Sequence, residues 1–248
     1  MMLVARKVCP EALDSLPVDA PEARRSRGDL RRIHHCMGTR GALLSAWQRL
    51  LPDAPGAKAL RVLELGAGDG SLLLALARRL APDWPDVELT LLDRQASVSS
   101  QTLSAYARQG WRARPLVQDA LDWAAQPQVI ATGRARPRWD LIVSSLFLHH
   151  FEGADLRSLL AAVAQRADRF IAIEPRRSSL ALWASRAVGL IGANAVTRND
   201  AVISVQAGFK AQELQAAWPV QGRRWDLQEA PAGLFCHGLL GQVQGGPA

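Results

Sequence analysis

At 248 residues, 48% hydrophobic and 21% charged, the chain has the balance of a globular protein with its own core, which excludes disordered and fibrous classes. The formal charge of +7 is carried almost wholly by arginine, Lys7, Lys58 and Lys210 being the lysines, and the arginines are scattered without an interleaved aromatic platform, which speaks against a nucleic-acid partner. Cys9, Cys36 and Cys236 are too few and too far apart for a disulfide framework or a Cys-x-x-Cys site, and point to a reducing, cytoplasmic home.

Residues 1 to about 20 hold proline and acidic residues without a period and read as a loose leader. Charges at Arg6, Lys7, Glu11 and Asp14 interrupt any apolar run there, so no secretory signal is expected. From Pro21 to Leu51 apolar residues recur every three or four positions around Gly38 and Gly41, predicting two short helices, and Pro52 to Gly56 reads as a linker. Then an alternation begins: strand Ala59–Leu65, helix Ser71–Leu80, strand Val87–Leu92, helix Ser97–Arg108, strand Trp111–Val117. Residues 127–138 have no apolar period and form a loop before strand Asp140–Leu146. Helix Ala154–Ala167, strand Phe170–Ile173, a helical stretch at 178–193, helix Ala211–Ala217 and strands Trp225–Glu229 and Leu234–Val243 complete the chain. The most membrane-like run, Ser178 to Val196, is broken by Arg186 and built of Ala, Gly and Ser, short of a spanning helix.

Strands alternating with helices predict an α/β fold with a doubly wound, mostly parallel sheet, whose ligands bind outside the carboxyl ends of the strands. The chain divides into a leader and helical cap, 1–56, and a core, 57–248, carrying a helical insert at about 178–210.

The first strand runs through Glu64-Leu65-Gly66-Ala67-Gly68-Asp69-Gly70 straight into a helix. Glycines at such a turn supply positive φ and let a ligand approach the backbone, while the helix start offers free N–H groups. A dinucleotide fingerprint would need a third glycine at position 71, which is Ser71. Glu64 would repel paired phosphates but suits a ligand bearing positive charge. Asp93 and Asp119 stand at the ends of the next two strands. Either alone would serve equally as a helix cap or turn residue; three acids at three successive strand ends call for a shared role.

These motifs make residues 60–175 resemble class I S-adenosylmethionine (SAM) methyltransferases. The resemblance implies a Rossmann-like, seven-stranded fold, SAM as cofactor and S-adenosylhomocysteine (SAH) as product. It also implies roles: Glu64, Gly66, Ala67, Gly68 and Gly70 at the methionine part, Asp93 with Arg94 at the ribose, Asp119 and Ala120 at the adenine, and Ser144 at the end of the fourth strand. That strand continues into Leu146-Phe147-Leu148-His149-His150-Phe151 and lacks the Asp/Asn-Pro-Pro-Tyr of nucleic-acid nitrogen methyltransferases, resembling instead the bacterial small-molecule branch of secondary metabolism.

Methyl transfer needs alignment, exclusion of water and, for a hydroxyl acceptor, removal of a proton. His149 or His150 is the expected base, although each is equally read as a residue that packs or caps in the turn. Glu174, ending the fifth strand, would orient a histidine or bind substrate, or simply pair with Arg176 or Arg177. The apolar face of Leu180, Trp183, Ala187, Leu190 and Ile191, together with Met37 and Trp47, would cover an apolar acceptor, with Arg176 beside it; core packing is the plainer reading of the same stripe. No metal site is expected. The acceptor is read as a small, largely apolar molecule, a phenolic or polyketide-like hydroxyl, and the alternative is an RNA or protein acceptor drawn to the basic surface.

Overall fold

The computed structural model describes residues 5–17, 19–52, 58–81, 83, 84, 86–127 and 138–245; the loop expected at 127–138 falls almost wholly outside them. The N-terminal part forms α1 (Ala12–Ser15), α2 (Pro21–Met37) and α3 (Thr39–Leu50), with the break between α2 and α3 at Gly38, whose φ of 74° is left-handed. The core follows as β1 (Leu60–Leu65), α4 (Ser71–Leu80), β2 (Val87–Asp93), α5 (Ser100–Ala107), β3 (Trp111–Val117), α6 (Ala120–Ala125), β4 (Leu141–Ser145), α7 (Gly153–Arg166) and β5 (Arg169–Pro175). Then come α8 (Ser179–Arg186), a 3₁₀ turn at Val188–Ile191, α9 (Ala195–Ala207), α10 (Glu213–Ala217), β6 (Trp225–Pro231) and β7 (Cys236–Val243).

The strands make one seven-stranded sheet in the order β3-β2-β1-β4-β5-β7-β6. β1 to β5 run parallel, and β7 enters antiparallel between β5 and β6. A parallel sheet covered on both faces buries its strands, so β1 is buried at every position but Arg61 and β4 throughout, with Glu64, Ser144 and Ser145 buried among the apolar residues. Side chains alternate between two layers. Val62, Leu89, Leu91 and Val143 face α3 and α4, whereas Leu63, Leu65, Leu92 and Ile142 face α7. The strand order reverses between β1 and β4, where Leu65 stands opposite Ser144, so a crevice opens at their carboxyl ends.

Trp47 is a correction. It was expected over the acceptor, but it is fully buried in the α3 layer, stacked on Trp111 and edge-on to Trp84, each at 5.8 Å between ring centroids. Helical spacing identifies a buried face without saying what it is buried against. Trp47→Ala is therefore expected to cost about 3–5 kcal/mol of stability, as large truncations in cores do, and to leave SAH affinity near wild type. Chemical denaturation beside a binding titration checks both halves.

The leader is a second correction. Residues 5–16 are docked, because their backbone and side chains find partners on α9 and on the turn after β4. Asp200 accepts from the N–H of Ala12 and Leu13, both at 2.9 Å, and Lys7 N–H donates to Gln206 O at 3.1 Å. Arg6 donates to Phe151 O and Ala207 O, each at 2.8 Å, and lies 4.4 Å over the Phe209 ring. Asp29 of α2 accepts from Asn194 N–H at 2.8 Å and from the Thr197 hydroxyl at 3.1 Å. Cap and insert are thus joined. Among the described residues no helix is long and apolar enough to cross a membrane.

Candidate active site

At the crevice lies a cavity of about 830 Å³. One end is the loop after β1. Gly66, Gly68 and Gly70 all have positive φ, 69°, 56° and 73°, which glycine adopts without strain. The loop is pinned from several sides: Ala67 N–H donates to Leu92 O at 3.0 Å, Gly68 N–H to Asp93 Oδ2 at 2.8 Å, and the Tyr106 hydroxyl to Gly70 O at 2.7 Å. At Gly66 the ring of Phe147 packs so closely that a Cβ would lie 2.2 Å from its Cδ2.

Glu64 lines the cavity from beneath this loop, 2% exposed, and its Oε2 has no hydrogen-bond partner. Burial, with Asp69 and Asp93 nearby, pushes its carboxyl well above the usual carboxylate range. An orphaned buried carboxyl among acids is costly unless a cationic ligand completes it. The donor set therefore fits the sulfonium and ammonium of SAM and would repel paired phosphates. Asp93 Oδ1 also accepts from Gln95 N–H at 2.8 Å, and Asp119 caps α6 by accepting from Leu121 N–H at 2.7 Å. The capping reading of these acids is thus realised, yet both line the cavity, as do Ala67, Gly68, Arg94 and Ala120. Arg94 is tied to the N-terminal segment, donating to Asp14 O at 2.7 Å. Ser144 and Gly70 do not line the cavity: Ser144 is fully buried in β4, and Gly70 stands behind the loop as the cap of α4. Ser145 takes the place expected of Ser144.

The other end is built by the turn after β4. Leu146, with φ of 51°, turns the chain sharply, and a 3₁₀ turn at Leu148–His150 follows. Glu174 is fully buried behind this turn and does not line the cavity. It accepts from the N–H of Phe147, Leu148 and His149 and meets His149 Nδ1 at 2.9 Å. That corrects its expected place in the cleft: its side chain is drawn inward by three backbone donors. Arg176 is likewise turned away, toward Gly233 O at 3.4 Å, and is absent from the cavity wall.

His149 and His150 both line the cavity, their ring centroids 4.3 Å apart. The Nε2 of His149 faces Glu11 Oε1 at 3.2 Å, and Glu11 also accepts from the Ser204 hydroxyl. Burial works against a charged His149, but the hydrogen bonds to Glu11 and Glu174 outweigh it and lift its pKa to about 9. Burial and the neighbouring His149 charge lower that of His150, whose Nδ1 is 3.5 Å from Asp14 Oδ2. Across the cavity His34 is pushed down to about 4 by burial. Met37 lines the wall, and Trp183, Leu190 and Ile191, 71%, 90% and 43% exposed, line it from the insert. Such exposure excludes the core-packing reading of that stripe.

Glu11 and Asp14 were missed as site residues. Glu11 lies 138 positions from His149, in a stretch without periodicity, and no local signal marks it.

Residues 63–168 match the model of the methyltransferase domain family. Over 115 residues the chain is 38% identical to the tRNA1(Val) (adenine(37)-N6)-methyltransferase of Cronobacter sakazakii, a match covering 44% of this chain and 38% of that protein. The chain thus spans well under half the length of the curated relatives it matches. In structure it is similar to the plantazolicin methyltransferase BpumL solved with SAH, at TM-score 0.57 and 13% identity, covering 90% of this chain and 91% of that one. It is also similar to an O-methyltransferase family protein from Burkholderia thailandensis, at TM-score 0.56 and 14% identity, covering 93% and 62%. At these identities the likeness is one of fold.

Proposed function

We propose that this chain, with a methyltransferase domain matched over residues 63–168, transfers a methyl group from SAM to a hydroxyl of a small, largely apolar acceptor of phenolic or polyketide type. One observation carries the reading: a single cavity has three acidic side chains, Glu64, Asp69 and Asp93, at the glycine loop and an apolar wall from α2 and the insert at its other side. Bound SAM supplies the electrophilic methyl. Glu64 and the loop would hold its methionine part, Asp93 the ribose hydroxyls, Asp119 and Ala120 the adenine, each carboxylate having two oxygens to accept donors. Met37 and Trp183 would pack on the acceptor, exclude water and align its oxygen. The acceptor hydroxyl would meet the face formed by Glu11, His149 and His150, where its proton is drawn off, with Glu174 holding that face in place.

Calorimetry tests the cofactor. SAH is expected to bind at micromolar Kd, about −8 kcal/mol, and NAD to give no heat; heat from NAD alone would overturn the reading.

A second reading, tRNA as acceptor, is favoured by the 38% identity to a tRNA adenine methyltransferase and by the basic charge. Against it stand the absent Asp/Asn-Pro-Pro-Tyr and the apolar wall opposite the glycine loop. Incubation with radiolabelled SAM and total tRNA decides between them: label in tRNA would displace the small-molecule acceptor.

A further inference from the structure

We propose that Glu11, His149 and His150 form a binding site for a divalent first-row transition metal ion at the acceptor end of the cavity. The geometry comes first. One ligand atom from each of the three side chains lies within 4.8 Å of the others. Two donors on one tetrahedral zinc-sized ion, each about 2.0–2.2 Å from it, stand roughly 3.3–3.6 Å apart, so the three side chains close on the ion by drawing together by up to about 1 Å. His149 Nε2 and Glu11 Oε1, 3.2 Å apart, already stand close to that separation.

The surroundings supply the second argument. Metal-binding histidines give their other ring nitrogen to a carboxylate, which fixes the ring and its tautomer. His149 does so, its Nδ1 meeting Glu174 at 2.9 Å, and His150 Nδ1 has Asp14 Oδ2 within ion-pair reach at 3.5 Å. Glu11 is held in turn by the Ser204 hydroxyl. Arg6 holds the carbonyls of the same turn, His149 O at 3.3 Å and Phe151 O at 2.8 Å. Each candidate ligand thus has its own support, and the group faces the cavity, leaving further coordination positions open to solvent or acceptor.

The ligand types select the ion. Two imidazoles and one carboxylate suit Zn²⁺, Fe²⁺ or Co²⁺ better than Mg²⁺ or Ca²⁺, which prefer an all-oxygen shell. Such an ion lowers the pKa of a hydroxyl beside it, so that the hydroxyl proton leaves to solvent. This catalytic use rests on the proposed acceptor reading; the binding site itself does not. The expectation of no metal followed from the absence of a local carboxylate-rich motif, and the third ligand comes from a remote segment.

The test uses the full chain after chelator treatment, titrated with Co²⁺. Binding of one equivalent, with the visible absorption of a low-symmetry Co²⁺ site and its displacement by Zn²⁺, is the expected result. Glu11→Gln and His150→Ala should each weaken binding at least tenfold, Asp14→Asn about tenfold, and the control His35→Ala not at all. Absence of the Co²⁺ spectrum, or binding indifferent to Glu11→Gln and His150→Ala, overturns the proposal. Circular dichroism of each variant reports folding, and SAH calorimetry on the same samples separates failure of this site from failure of the SAM reading.

Discussion

Gly66→Ala is expected to unseat the site, and Gly68→Ala to leave the fold standing while removing the ligand. At Gly66 the added Cβ would lie 2.2 Å from Cδ2 and 2.3 Å from Cγ of Phe147, at a φ of 69°. The left-handed conformation costs a non-glycine residue about 1–2 kcal/mol and overpacking about 1–3 more. Phe147 has little room to yield: its N–H is held by Glu174, and Phe151 packs edge-on at 5.1 Å. Moving it displaces the turn that carries His149 and His150. Gly66→Ala should therefore melt well below wild type and lose SAH affinity by about a hundredfold. At Gly68, φ is 56° but a Cβ meets nothing within 4 Å. The conformational cost of about 1 kcal/mol lowers Tm by only about 2–4 °C, while the methyl group occupies open cavity and reduces SAH affinity at least tenfold. Thermal melts paired with calorimetry read both variants. Equal melting points with equal affinities would show that the loop does not cradle the donor.

Glu64→Gln should raise the Tm of the ligand-free protein at neutral pH and abolish the stabilisation by SAH. The sign follows from linkage. Folded Glu64 titrates well above 4.5, chiefly through burial, whereas in the unfolded chain it ionises near that value. Above about pH 5 the unfolded state therefore binds fewer protons from this group, and stability falls as pH rises toward the raised folded value. This contribution is fully present below the unfolded pKa and lost through the folded one. The amide removes the titration and flattens the curve. The gain is the cost of holding Glu64 protonated, about 1.4 kcal/mol per pH unit above the unfolded value until the folded one is reached, with about 2–4 °C expected per kcal/mol. Melting curves from about pH 5 to 8, with and without SAH, are the measurement. A Glu64→Gln variant that melts lower and still gains stability from SAH would remove Glu64 from the cofactor site.

The glycine-loop end of the cavity was legible because its determinants are local. A strand buried on both faces reads as an apolar run, and a glycine turn with acids at the following strand ends is written within residues 60–120. The opposite end was less so. His149 and His150 were visible as residues, but Glu174 turned inward to three N–H groups rather than outward, and nothing in Ile173-Glu174-Pro175 distinguishes the two directions. α9 was expected only as part of a helical insert at about 178–210, without bounds of its own, since its Thr197, Asn199 and Asp200 weaken the apolar period; Asp200 binds the backbone of Ala12 and Leu13. The N-terminal segment hid for the same reason. Its order comes from long-range hydrogen bonds made by Arg6 and Glu11, and such pairing leaves no mark on hydrophobic spacing.

The antiparallel insertion of β7 between β5 and β6 sets the timing of assembly. α3, synthesised early, packs against both β5 and β7, so part of its apolar surface has no cover until the chain has been made as far as Val243. At about 5–20 residues per second, the separation from Leu50 to Cys236 corresponds to roughly ten seconds or more of translation during which that surface stays wet. In that interval the nascent polypeptide carries an apolar helix face that only the last strand will shield.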